Sequence, residues 1–192
     1  MTKNVYEEIP VLEGERFLLR AVREQDAGDL LKVYSDEKAV PFFNSDNCHG
    51  DDFHYTTMER IRQALDFWEF SYQKKYFVRW VVYDKHTQTV VGSVELFNRK
   101  AEDYFDNCGL LRLDLKSDYE RQEYIENILK LIVPKTGELF LCDKIATKAI
   151  PEAKERIAAL EHMGFQLSEE RLIGHDGTEY GAYFVREIRK FT

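Results

Sequence analysis

The chain has 192 residues, with 27 Lys and Arg against 35 Asp and Glu, a formal net charge of −8. This length fits one domain covering residues 1–192, able to bury roughly 70% of its unfolded surface without disulfides or a structural metal. A hydrophobic content of 44%, with 13 Phe, 11 Tyr and 2 Trp, excludes a disordered chain, and the acidic balance argues against binding to nucleic acid or anionic membranes.

Glu15 to Val22 (ERFLLRAV) reads as a first strand after a turn at Gly14. Asp26 caps the next predicted helix, whose apolar stripe is Leu30, Leu31, Val33 and Tyr34, and Pro41 stops it. Asn44 to Asp52 (NSDNCHGDD) is the strongest loop signal in the chain. Beyond it Met58, Ile61, Leu65, Trp68 and Tyr72 recur at helical spacing. The period then changes. Phe77 to Tyr83 and Val90 to Phe97 form a predicted hairpin across DKHTQT, and Gly109 to Leu115 alternates Leu with Arg112 and Asp114. A helix carries Ile125, Ile128, Leu129 and Ile132 and ends or kinks at Pro134. Lys144 to Ile150 is a strand, Pro151 starts a helix that Gly164 closes, and strands at Gln166 to Ile173 and Tyr180 to Ile188 flank the turn HDGT. This order predicts an α/β chain with a mixed sheet, antiparallel at first, and a parallel β-α-β crossover in its second half.

Cys48, Cys108 and Cys142 give no CxxC pair, hence neither a disulfide framework nor zinc-ribbon spacing. Cys48-His49 with His54 lacks a fourth ligand and reads as polar loop, and Cys142 reads as a buried structural thiol. The start MTKNVYEEIP lacks a signal peptide's apolar core, and no apolar run approaches the roughly 20 residues of a membrane span. A reducing cytoplasm is the expected compartment. Without GxSxG, HExxH, a Walker loop or GxGxxG, the common hydrolase, zincin, NTPase and dinucleotide readings fall away.

The opening LEGERFLLRAVREQDAGDLLKVYSD and the later KIATKAIPEAKERIAALEHMGF, with Met163-Gly164-Phe165 in place of Leu-Gly-Phe, resemble the GNAT acetyltransferases. The resemblance is to the branch acting on N-terminal amines of ribosomal proteins and similar small amines. It implies a GNAT-like, mostly antiparallel central sheet flanked by helices. It also implies transfer of an acetyl group from acetyl-CoA to a primary amine of a small molecule or peptide, with no metal. The family's Arg/Gln-x-x-Gly-x-Gly/Ala loop falls on Arg121, Gln122, Glu123, Tyr124, Ile125 and Glu126. Backbone amides at a helix N-terminus there hold the pyrophosphate, while the strand bearing Leu113 and Leu115 runs beside the thioester. Arg121 matches; Tyr124 and Glu126 stand at the small-residue positions. A phosphate ~5 Å from one unpaired carboxylate costs roughly 3 kcal/mol, against ~0.3–1 kcal/mol from the helix dipole. Repulsion wins unless Glu126 turns away. Arg156 either offers a charge to CoA or, as expected of a helix surface, faces solvent.

By the same resemblance, Glu95 and Asp114 are candidate bases on the central strands, each with the alternative of pairing with Arg112 or another strand-borne cation. Tyr119 and Tyr124 are candidate proton donors, Tyr124 alternatively plugging the pyrophosphate groove. Leu160 replaces the acid tyrosine of relatives, and His162 is expected to face solvent. Phe42 and Phe43, beside the polar loop, are candidates to line the acceptor pocket. Two rivals accompany this reading. One is a GNAT-fold protein that binds a ligand or partner without acyl transfer; the other is a homodimerisation module pairing through its last two strands.

Overall fold

Strand alternation sets the layers. A computed structural model describes residues 4–188. In chain order these form β1 (Leu12–Glu13), β2 (Phe17–Ala21), α1 (Ala27–Tyr34), α2 (Met58–Gln73), β3 (Val78–Asp84), β4 (Thr89–Arg99) and β5 (Cys108–Leu115). Then come α3 (Gln122–Ile132), α4 (Thr136–Phe140), β6 (Lys144–Lys148), α5 (Lys154–His162), β7 (Gln166–Leu167), β8 (Leu172–Ile173), β9 (Glu179–Tyr180) and β10 (Tyr183–Glu187). Eight strands make one sheet ordered β1-β2-β3-β4-β5-β6-β10-β7, and β8 with β9 forms a separate hairpin. Every pairing in the large sheet is antiparallel except β5 with β6. The mixed sheet and its parallel step agree with the expected architecture.

One face of the sheet is apolar. Val78, Trp80 and Val82, Val94 and Leu96, and Leu111, Leu113 and Leu115 pack with Ile125, Ile128 and Ile132 of α3 and Leu160 of α5. On the opposite face α1 and α2 bring Leu30, Val33, Tyr34, Ile61 and Trp68 over Val81 and Val90. The residues alternating with these apolar ones include Arg79, Ser93, Glu95, Arg112 and Asp114, all buried. Gly92 opposes Leu115 in the β4–β5 register. A Cβ there would run into the carbonyl oxygen of Asp114, so only glycine allows the two strands this approach.

Several boundaries differ from the sequence expectation. Pro134 ends α3, yet the chain passes through a 3₁₀ turn straight into α4, which periodicity did not reveal. Pro151 lies in the turn before α5 rather than opening it, and Ala153 donates to the Ile150 carbonyl there at 2.9 Å. The expected strand at Gln166 to Ile173 splits into β7 and β8, and the one at Tyr180 to Ile188 breaks at Ala182, whose φ is 64°. β10 is paired with β6 along its length and with β7 at Phe184 and Val185, so β7 is the outermost strand on this side of the sheet.

The end of β3 anchors the connection from β5 to α3. Asp84 accepts from Arg16 Nε at 3.1 Å and Nη2 at 2.8 Å, from the Tyr119 hydroxyl at 2.6 Å and from the His86 amide at 2.9 Å. Arg16 lies 4.4 Å from the Tyr124 ring centroid, and that ring packs on Phe17 and Tyr119. Burial opposes ionisation of Asp84, but the bonds from Arg16 and Tyr119 outweigh it and hold the carboxyl well below the usual range. Its contribution to stability is therefore complete above the unfolded value of about 3.9 and is lost as pH falls through the lower folded value. Asp84→Asn should cost about 2 kcal/mol in urea unfolding at pH 7. The gap between variant and parent should narrow at pH 2–3; a gap that persists there would show that the carboxylate charge is not what holds the corner.

Candidate active site

Three adjacent strands carry a row of buried charge. Arg79, Glu95 and Arg112 stand opposite one another across β3, β4 and β5, and the next row along is Val81, Ser93 and Asp114. Glu95 is 2% exposed and accepts from both Arg79 Nη2 and Arg112 Nη1. Arg79 also donates to Ser93 Oγ at 2.8 Å, and its guanidinium lies 4.2 Å from the Trp68 ring centroid. The Tyr34 hydroxyl, 2.6 Å from Ser93 Oγ, donates to Asp114 Oδ2 at 2.7 Å. Asp114 Oδ1 is buried and accepts no hydrogen bond from the protein.

The two carboxylates therefore differ in kind. Burial alone would raise the pKa of Glu95, but its two arginines hold it below the ordinary value. Burial raises that of Asp114, and Arg79 at 3.5 Å with the Tyr34 bond only partly offsets it. Glu95 is committed as a counter-ion; Asp114 has a free oxygen and a raised affinity for a proton. Arg79 went unassigned in the sequence, although a cation inside an apolar strand is a signal that could have found it. Tyr34 carried no such signal, because a tyrosine within a helical apolar stripe looks like packing.

Beyond this row β5 leaves its parallel neighbour. Pairing with β6 stops at Leu111 with Thr147, while β5 runs on through Leu113 and Leu115, whose side chains are buried in the apolar core. The connection to α3 is held from α5. Arg156, expected at the surface, is 3% exposed and makes a two-pronged pair with Glu120, Nε to Oε1 at 2.6 Å and Nη2 to Oε2 at 2.8 Å. The neighbouring Glu155 accepts from the Gln122 amide, the first of α3, at 2.7 Å.

Glu126 accepts from Gln122 Nε2, lies 2.9 Å from His162 Nδ1, and has Lys130 at 3.8 Å. Its charge is thus partly answered within the chain. The His162 side chain is largely exposed, and Arg121 and Glu123 are exposed. Tyr124 does not plug the groove beside these residues, since its ring is turned under β2. Tyr119 is likewise occupied by Asp84, away from the Asp114 row.

On the α1–α2 face a cavity of 430 Å³ lies between Asp46 and Asn47, the ends of β4 and β5, and the β8–β9 hairpin. Arg112, one pleat from Asp114, forms part of its wall, with Phe97 and Tyr183. Asp46 is engaged by Lys148 Nζ at 2.6 Å and the Tyr183 hydroxyl at 3.0 Å. Phe42 and Phe43 do not line this cavity: Phe43 is buried against Tyr34, and Phe42 packs on the main core. Cys142 is buried, its thiol donating weakly to the Thr136 carbonyl. Among the described residues no helix is long and apolar enough to cross a membrane, and no group of three His, Cys, Asp or Glu side chains could hold a metal ion.

Residues 16–166 match the family model described as the acetyltransferase (GNAT) domain. The chain belongs to the GNAT acetyltransferase family. A region of 88 residues is 26% identical to an uncharacterized N-acetyltransferase, YoaA, of Bacillus subtilis strain 168, spanning 44% of each chain. Among solved structures, the fold is shared with a ribosomal-protein-S5-alanine acetyltransferase from Vibrio fischeri at a TM-score of 0.70 and 16% identity, covering 95% of this chain and 99% of that one. It is shared too with RimL, a ribosomal L7/L12 alpha-N-protein acetyltransferase in complex with coenzyme A, at 0.69 and 13% identity, covering 93% and 98%. RimJ of Mycobacterium smegmatis, in complex with a CoA-disulfide, gives 0.67 and 14%, covering 93% and 86%. In this GNAT chain β5 parts from β6 beyond Leu111, and the first amide of α3 is held by Glu155.

Removing the Glu95 charge leaves two buried guanidiniums without their shared partner. Glu95→Gln should destabilise the protein by about 3 kcal/mol; Asp114→Asn, which trades the burial cost of one carboxylate against the loss of its pairing with Arg79, should cost less. Thermal melts of both variants check this ordering, and equal losses would contradict the division of roles.

Proposed function

We propose that this GNAT-family chain transfers an acetyl group from acetyl-CoA to a primary amine of a small molecule or peptide, with Asp114 as the general base. The observation that carries the reading is Asp114 itself: a buried carboxylate with one free oxygen and a raised proton affinity, on the stretch of β5 that has parted from β6. The amine nitrogen bonds to the thioester carbonyl carbon and its proton passes to Asp114, directly or through one water. The carbon–sulfur bond then breaks and the thiolate leaves, taking up a proton. Backbone amides of the β5 stretch bearing Leu113 and Leu115 orient the carbonyl, and Tyr34 holds Asp114 in place through Oδ2.

The amine enters from the cavity walled by Arg112. Arg112 is paired there with Glu95, Arg99 with Asp103, and the lining carboxylate of Asp46 with Lys148, so the charges of the wall are largely answered in place. With Asp46 already answered by Lys148, the wall does not favour a polycation over a single amine such as a peptide terminus. The alternative, binding without transfer, draws on the Glu155 contact at α3.

Calorimetric titration with acetyl-CoA, followed by release of free thiol in the presence of a panel of peptide and small amines, separates the two. Asp114→Asn should lower kcat by about 10²–10⁴-fold and leave acetyl-CoA affinity unchanged. Asp114 must be ionised to accept a proton, and its pKa is raised, so turnover should fall on the acid side at a pH above the ordinary aspartate value of about 3.9. That limb should vanish in the variant. Unchanged turnover in Asp114→Asn would remove Asp114 from the chemistry, and absence of both binding and turnover would favour the non-catalytic alternative.

A further inference from the structure

The two guanidiniums that share Glu95 line different cavities. Arg112 is part of the wall near Asp46, whereas Arg79 lines a second cavity of 720 Å³ between α2, the end of β2 and the segment from Glu7 to Ile9. That volume lies in the range of ligand sites, roughly 300–1,000 Å³. We infer that this second cavity binds an organic cation carrying an oxygen acceptor at the other end of a short apolar chain, an amino amide being the simplest case. The site stands whether or not the chain transfers an acyl group.

The acceptor is called for by Arg79, which is 6% exposed. Its Nη1 donates to Ser93 and Tyr34 and its Nη2 to Glu95, while its Nε is buried and donates to nothing in the protein. Buried donors are almost always paired, so a ligand oxygen here completes what the protein leaves open. Glu95 and Asp114 already answer the Arg79 charge. A neutral carbonyl therefore suffices and an anion is not required. Val22, Leu65, Trp68 and Tyr72 supply an apolar and aromatic wall.

The cation is called for by the outer groups. Glu7, Glu24, Asp66 and Glu69 outnumber Arg23 and Arg62; all six are exposed, and among the described residues no ion pair joins any two of them. Burial, and then the carboxylates of Glu69, Glu7 and Glu8, raise the pKa of the Tyr72 phenol. Negative charge thus gathers beside an aromatic ring, a combination that holds an ammonium group.

The test titrates the full chain by calorimetry at neutral pH with γ-aminobutyramide, n-butylamine and butyramide, which carry both groups, the ammonium alone and the carbonyl alone. γ-Aminobutyramide should bind about tenfold or more tightly than either of the others. Trp68 and Trp80 are the two tryptophans of the chain, and Trp80 is fully buried and donates to the Pro10 carbonyl. A change in emission on binding therefore reports Trp68 and should vanish in Trp68→Phe. Combining Asp66→Asn with Glu69→Gln, both at exposed positions of α2, should weaken γ-aminobutyramide and n-butylamine about threefold or more and leave butyramide unchanged. Thermal melts confirm that the variants fold. Equal affinity for the three probes, or no binding of γ-aminobutyramide at millimolar concentration, overturns the inference. Binding that changes neither Trp68 emission nor the affinity of the double variant also overturns it, since the amide then lies in another cavity.

Discussion

Two guanidiniums, Arg79 and Arg112, share the carboxylate of Glu95 inside the sheet, and the remaining charge falls to Asp114. With Asp114 protonated the buried group carries one uncompensated positive charge; with Asp114 ionised it is neutral. A buried unpaired ion costs several kcal/mol, which draws Asp114 toward ionisation, while its own burial resists and prevails in raising its pKa. Asp114 is thus a counter-ion to the arginines whose own burial raises its affinity for a proton. The same row dictates its cover. Trp68 lies over Arg79, and Tyr34 reaches Ser93 and Asp114, so the helices above the sheet bring an aromatic face and a hydroxyl into an otherwise apolar layer.

The other face does a different job. Leu113 and Leu115 are anchored in a core built with α3 and α5, and Gly92 lets β4 lie close against the end of β5. The outer half of β5 is therefore held from below and from one side. It can part from β6 after Leu111 without fraying, and its backbone on that side is freed from strand pairing. Charge on one face and unbroken apolar packing on the other are what let a single strand carry a buried carboxylate and leave its parallel neighbour.

The strands and their alternation were legible in the sequence because each depends on near neighbours: GLLRLDL announces two faces, and FVRWVVY places one cation among apolar residues. The long-range pairs were not. Arg156 reads as a surface residue in a helix's first turn, and only the fold brings it to Glu120, which lies 36 positions away in the sequence. Tyr34 shares the spacing of a packing stripe, so nothing local separates its ring from its hydroxyl. Phe42 and Phe43 sit beside a polar loop, as a pocket wall does, yet the loop folds over that face and turns Phe43 into core. The break at Ala182 and the restart of helix at Thr136 are likewise set by what each segment meets in space.

The start of α3 and the buried charges of β5 are joined through consecutive residues of α5. Glu155 holds the first amide of α3, and Arg156 holds Glu120 in the connection leading to it. The positive charge of Arg156 is also among those that lower the pKa of Asp114. Displacing Glu155 by side-chain rotation leaves that field in place; pulling the first turn of α5 away would remove it and raise the proton affinity of Asp114 further. The buried Arg156–Glu120 pair resists the second motion far more than the exposed Glu155 contact resists the first. The electrostatic setting of Asp114 therefore depends on the buried Arg156–Glu120 pair and not on the exposed Glu155 contact.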